Sequence, residues 1–204
     1  GADASGFSTL FPGSPYPGNQ AIRVQVQTAD LGTYIEGVEF FDGDHASGIH
    51  TYNHAQSGWQ CTNFTDANAD VAWGAVTALA PQLVVVALGT NDMSVNEPSV
   101  GLANLDTLLT KIDAKVTGAH STLLVGMYRA TNIDPARMDA WHEGLVARAV
   151  GNRCYLDASA VWPTLVNDGS QNMGLMQESS NPIVHPNDAG HQALADFIAN
   201  HIVP

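Results

Sequence analysis

The sequence predicts a three-layer α/β/α sandwich around a central parallel sheet, with a short β-rich extension at the N-terminus. Two short, continuous apolar runs, "QLVVVALG" and "STLLVGMY", read as strands buried on both faces. Between and after them lie segments with apolar residues at helical spacing and clear helix-start signals. Strand and helix alternate from about residue 62 to the end, and that order calls for parallel strands joined by helices on both faces.

Taken in order, the first twenty residues are rich in Gly, Pro and Ser and read as irregular coil. "AIRVQVQTA" alternates Ile22, Val24 and Val26 with polar neighbours, the period of a half-buried strand. "TYIEGVEFFDGD" and "SGIHTYNH" read as further strands, with "ADLG" and "DGDHAS" as turns. This divides the chain into a coil and β-rich extension over 1–47 and the sandwich over 48–204. In "TDANADVAWGAVTALAP", Thr65 or Asp66 is the expected helix cap, Val71, Val76 and Leu79 the apolar positions and Pro81 the stop. A helix is expected over about 97–117, with Leu105, Leu108, Ile112 and Val116 on one stripe. "NIDPARMDAWHEGLVARAV" opens with an Asp cap and Pro at the first helical position. "RCYLDAS" is the next strand and "NDAGHQALADFIANHI" the closing helix.

Composition excludes several function classes. Twenty acidic and seven basic residues give a net charge of −13, the wrong sign for a nucleic-acid surface, and the acids are scattered as on a solvated exterior. No stretch approaches the roughly 18 unbroken apolar residues of a membrane span. No basic start followed by an apolar run marks an uncleaved signal peptide, which leaves room for a mature secreted form. Cys61 and Cys154 allow either one disulfide in an exported protein or two separate thiols, and no Cys-x-x-Cys pair suggests a thiolate metal site.

Right-handed crossovers bring the C-terminal ends of parallel strands to one edge, where ligands bind in such folds. Three loops are expected there: "HAQSGWQ", "GTNDMS" and "NPIVHPNDAGH". Pro186 disfavours helix at His185, so the imidazole is held in extended backbone as a candidate general base, while Asn187 can cap the helix beginning at Asp188. Asn91 supplies a neutral side-chain donor suited to a developing oxyanion. Gly58 leaves a backbone N–H unobstructed by a side chain, and Ser57 stands beside it. Each of these also has a plainer reading: a loop histidine bonded for structure, and glycines that simply make turns.

These motifs resemble the SGNH (GDSL-type) hydrolases, which share short sequence blocks on a flavodoxin-like α/β/α sandwich. "GTND" matches the family's Gly-x-Asn-Asp at a strand end, "YNHAQSGW" places Gly58 where the family has its loop glycine, and "HPNDAGH" matches its histidine block. The resemblance covers roughly residues 48–204. It implies a serine ester hydrolase, plausibly a carbohydrate O-acetylesterase or short-acyl esterase, needing no cofactor or metal. Asn91 and Gly58 would hold the oxyanion and His185 would act as base. In the front half the chain resembles secreted or virion tail-associated esterases, and the β-rich stretch resembles the end of a β-sandwich insertion found in some carbohydrate esterases of the family.

Two departures stand out. The family's Gly-Asp-Ser block, which carries the nucleophile, is absent, and "GADASGFS" resembles the loop that follows that serine, as though the chain started just past it. Where the family places the aspartate that orients the imidazole, three residues before His185, this chain has Pro182; a backbone carbonyl, Glu178 or a water would then fix the tautomer. Ser57 is the first candidate nucleophile and Ser5 or Ser8 the next. If none serves, the chain is a fragment, or a non-catalytic module that binds a glycan or a surface. Elsewhere, His50 and His54 share a strand face at workable zinc spacing but lack a well-placed third ligand. His120, His142 and His201 lie on helix faces or ends and call for no special role. Trp73 and Trp141 belong to helix stripes, and Trp59 is placed to wall a pocket.

Overall fold

The computed structural model describes residues 52–66, 70–130, 132–161, 175 and 185–202. The 1–47 extension with its expected strands, Ser5, Ser8, Glu178, Pro182 and His50 lie outside the described residues. Three parallel strands, β1 (Leu83–Val86), β2 (Ser121–Gly126) and β3 (Arg153–Asp157), pair in the order β1-β2-β3. Val85 faces Leu123 across the first ladder, and Leu123 faces Cys154 across the second.

Among the described residues, six α-helices accompany them: α1 (Cys61–Thr65), α2 (Asp70–Leu79), α3 (Thr90–Val95), α4 (Pro98–Lys115), α5 (Pro135–Arg148) and α6 (Asp188–Ile202). Two crossovers step across the sheet in the same sense, so right-handedness puts α4 and α5 on one face. The alternation of β2 follows this. Leu124 packs with Leu105, Leu108 and Trp141 of those helices. Leu123 and Val125 point the other way, onto Leu194, Phe197 and Ile198 of α6. The α/β/α layering expected from the sequence is present.

Local chemistry sets most boundaries. Pro98 and Pro135 open α4 and α5, and the Asp134 carboxylate accepts the Ala136 N–H at 2.9 Å as the N-cap of α5. Asn187 caps α6 by accepting the Gly190 N–H at 2.9 Å. The stripe Leu105, Leu108, Ile112 and Val116 is buried throughout, as are Trp73 and Trp141. Gly144 lets α5 approach α4 closely, because a Cβ there would run into Leu102. Arg148 then forks onto Asp106 of α4, Nε to Oδ1 at 2.6 Å and Nη2 to Oδ2 at 2.7 Å.

Several expectations need correction. Thr65 and Asp66 do not cap the helix before β1; they end α1, a short helix the sequence did not announce, and α2 begins at Asp70. The "GTNDMS" stretch is not a loop but the first part of α3, with Gly89 as its N-cap. Among the described residues, helices bury β1 on one face; Leu83 and Val85, on the α6 side of the sheet, are 37% and 45% exposed. Cys61 is buried and Cys154 exposed in β3, so the cysteines are two separate thiols.

Candidate active site

Two of the three predicted loops meet. The chain over 56–59 turns tightly, the Trp59 N–H reaching the Gln56 carbonyl at 3.3 Å. Gly58 takes a φ of +78°, which glycine adopts without steric cost, and a Cβ there would meet nothing within 4 Å. Ser57 is exposed on this turn. Trp59 then turns inward and packs edge-on to Phe64, ring centroids 4.8 Å apart.

The other partner is α3. The chain leaves β1 and reverses at Gly89, whose φ of +124° and close approach to the Trp141 indole exclude any side chain. That reversal delivers Asn91 and Asp92 in the first turn. The Asn91 carboxamide donates to the Trp59 carbonyl at 3.0 Å. A carboxamide carries two N–H groups, so among the described residues one is left to serve a ligand. Asn96, at the end of α3, donates to the Gln60 side chain at 3.2 Å. Asp92 is fully buried, and its Oδ1 accepts the Cys61 N–H at 3.1 Å. Residues 59, 60 and 61 are thus each tied to α3.

Burial dominates the electrostatics here. It raises the Asp92 carboxyl above the ordinary aspartate range, partly offset by the hydrogen bonds from Cys61. The Cys61 thiol is raised strongly, first by burial and then by the neighbouring Asp92 charge, so it is no nucleophile.

His185 is exposed and precedes the buried Pro186. Its backbone is anchored from the C-terminal side, where the Asn187 N–H donates to the Leu175 carbonyl at 3.0 Å and the His191 N–H to the Asn187 carbonyl at 2.9 Å. Among the described residues, no hydrogen bond or ion pair joins His185 to Ser57, Gly58 or Asn91. The structure therefore brings Asn91 and the Gly58 turn together, and His185 stands outside that contact.

The GDSL-like lipase/acylhydrolase family model matches residues 40–193, three quarters of the sequence and a span that includes Ser57, Gly58, Asn91 and His185. The chain belongs to the GDSL-like lipase/acylhydrolase family. Among solved structures, the chain is similar to a carbohydrate esterase family 3 protein from Talaromyces cellulolyticus, with a TM-score of 0.53 and 19% identity over 72% of this chain and 68% of that one. It is also similar to an acetyl esterase mutant with acetate ion, with a TM-score of 0.54 and 19% identity over 72% and 68%. At that identity the likeness establishes the fold. No curated protein sequence matches the chain.

Two features of the chain escaped sequence reasoning. One is the role of Asp92, which the sequence marked only as the last residue of "GTND". The other is a polar cluster at the C-terminal ends of β2 and β3, centred on His142. Its Nε2 faces the Met127 carbonyl at 2.9 Å, and a carbonyl can only accept, so Nε2 carries the proton. Nδ1 then accepts from the Tyr155 hydroxyl at 3.3 Å and lies 3.8 Å from Asp157 Oδ1. Tyr155 is pushed up to about 12, by burial first and the Asp157 charge second. Asp157 in turn accepts from the Ser159 hydroxyl at 2.5 Å and the Ser159 N–H at 3.0 Å. Both histidine nitrogens are engaged within the fold, so the cluster latches α5 to the strand ends. It is not a catalytic triad, because the carboxylate rather than the imidazole holds the serine.

Proposed function

We propose that this chain is a serine ester hydrolase that removes O-acetyl groups from a carbohydrate or cleaves a short acyl ester. The observation that carries the reading is the 3.0 Å bond from Asn91 to Trp59, which fixes a side-chain donor beside the residue that follows Gly58. The free N–H of Asn91 and the backbone N–H of Gly58 are the oxyanion donors. Ser57, exposed next to Gly58, is the first candidate nucleophile. Its hydroxyl oxygen bonds to the acyl carbon while His185 takes the proton. The tetrahedral intermediate collapses, the alcohol leaves with that proton, and water releases the acid by the same steps. The acetyl preference is supported by the likeness to a carbohydrate esterase and to an acetyl esterase.

One observation favours a different reading, a non-catalytic module that binds a glycan or a surface: no Gly-Asp-Ser occurs in the 204 residues. The test is turnover of p-nitrophenyl acetate by the wild type and by His185→Ala. Turnover that disappears in the variant supports the enzyme. No turnover above buffer favours the binding module or a fragment whose nucleophile lies elsewhere. A fluorophosphonate probe followed by peptide mapping names the serine, and labelling at a serine other than 57 would reassign the nucleophile.

A further inference from the structure

A buried aspartate is an expensive way to fill space. Asp92 has no exposed surface, and its Oδ2 has no hydrogen-bond partner among the described residues. An apolar side chain of similar size would avoid the desolvation penalty of that oxygen. What the carboxylate does is accept the Cys61 N–H, and this is a fully buried bond, whereas the Asn91–Trp59 and Asn96–Gln60 bonds are half-buried. Away from water, a hydrogen bond competes with no solvent and holds its geometry better.

Among the described residues, the turn bearing Gly58 has little else to hold it. Apart from its chain neighbours, none of their atoms lies within 4 Å of the position of a Gly58 side chain, and Ser57 beside it is exposed. Where Gly58 sits is therefore inherited from residues 59–61, and the innermost tie of that segment is Asp92. We propose that Asp92 is a positioning residue of the ester-cleaving site, holding the Gly58 turn against α3 through the Cys61 amide so that the Gly58 N–H and the Asn91 carboxamide converge on one oxyanion. This rests on the reading of Gly58 and Asn91 as oxyanion donors. Asp92 itself touches no substrate.

Four variants of the full chain test it. Asp92→Ala removes the acceptor. Asp92→Asn keeps an oxygen at the same place. Cys61→Pro removes the amide donor together with the buried thiol that also bonds the carboxylate, and is read against Cys61→Ala, which removes the thiol alone; Cys61 is the first residue of α1, where proline is tolerated, and Gln60 before it has φ −110° and ψ 171°, the extended backbone that proline prefers in its predecessor. With p-nitrophenyl acetate, Asp92→Ala and Cys61→Pro are each expected to lower kcat about 10- to 100-fold with KM within about twofold, as for a small displacement of a catalytic group. Asp92→Asn is expected to return kcat to within about threefold of wild type. In parallel, hydrogen exchange of the Trp59 amide, which is bonded to the Gln56 carbonyl, should quicken about tenfold or more in Asp92→Ala and Cys61→Pro and stay near wild type in Asp92→Asn. Unchanged kcat in Cys61→Pro, a change confined to KM, or unchanged exchange would overturn the proposal. If the wild type turns over no ester, the hydrolase reading fails. The exchange data then still decide whether Asp92 holds the turn. Should Asp92→Ala not fold, Cys61→Pro and Asp92→Asn carry the same comparison.

Discussion

The side-chain amide of Asn91 and the carbonyl of Trp59 meet at 3.0 Å although 32 residues separate them in the chain. That contact joins the start of α3 to the turn that carries Ser57 and Gly58, and it gives the candidate oxyanion site its geometry. Removing the carboxamide removes both the link and the donor. Asn91→Ala should therefore lower kcat for p-nitrophenyl acetate about 100- to 1000-fold, the usual worth of one oxyanion donor. Its far-ultraviolet circular dichroism should match the wild type, because the residue is half-buried and on the first turn of α3. Steady-state kinetics on the folded variant check it, and a loss under tenfold would remove Asn91 from the oxyanion role.

Gly89 should not tolerate a methyl group. Its φ of +124° disfavours any side chain, and the Trp141 indole occupies the space a Cβ would need. Overpacking and backbone strain together predict a loss of about 3 kcal/mol for Gly89→Ala. For a chain of this size that corresponds to a Tm lower by roughly 6–12 °C, measured by calorimetry.

Asp92 opposes folding where it is charged. Its carboxyl in the folded state is raised from 3.8, so the folded protein binds a proton more readily than the unfolded chain does. Stability from this group is then lost as pH rises from that unfolded value through the higher folded one, and it stays lost above. Asp92→Asn carries no charge at any pH and should gain in Tm relative to wild type between about pH 3 and about pH 7. Paired thermal melts across that range test the sign; a relative loss would mean that the ionised carboxylate is the favoured buried form. A relative gain in Asp92→Asn would show that Asp92 makes the molecule less stable at neutral pH than a neutral residue would, the kind of local cost that positioning a site can justify.

Asn187 should matter for the helix that follows His185. Its side chain accepts the Gly190 N–H, the third amide of α6. Asn187→Ala leaves that amide without its cap and should cost about 1 kcal/mol. The expected fall in Tm is roughly 2–4 °C, and exchange of the Gly190 amide should quicken more than that of amides in the middle of α6.

The elements legible in the sequence are those whose cause is local. Asp134 followed by Pro135, Asn187 ahead of Gly190, and apolar residues at helical spacing in α4 act within a few residues of themselves, and each stands where it was expected. α1 and α3 were not legible, because helices of five and six residues are not stable alone and carry little periodic signal. Their bonds to each other support them. Thr65 and Asp66 have the chemistry of a helix start yet end α1, since a cap signal has no direction until the next turn is known. The half-exposed face of β1 has a similar origin: "LVVV" specifies a strand, but which of its faces a helix covers depends on where α6 lies.

The sequence by itself determined the strand-helix alternation, the parallel sheet that follows from it, and the identity of the residues fit for ester chemistry, because these depend on periodicity, caps and short motifs. Only the tertiary structure decided that Asn91 grips the carbonyl of Trp59, that Asp92 is sealed beneath it against the Cys61 amide, and that His142 is bound up at the strand ends. Those outcomes join residues 32, 31 and 15 positions apart. No local preference encodes such distances; they are fixed when the packed core brings the ends of different strands to one rim.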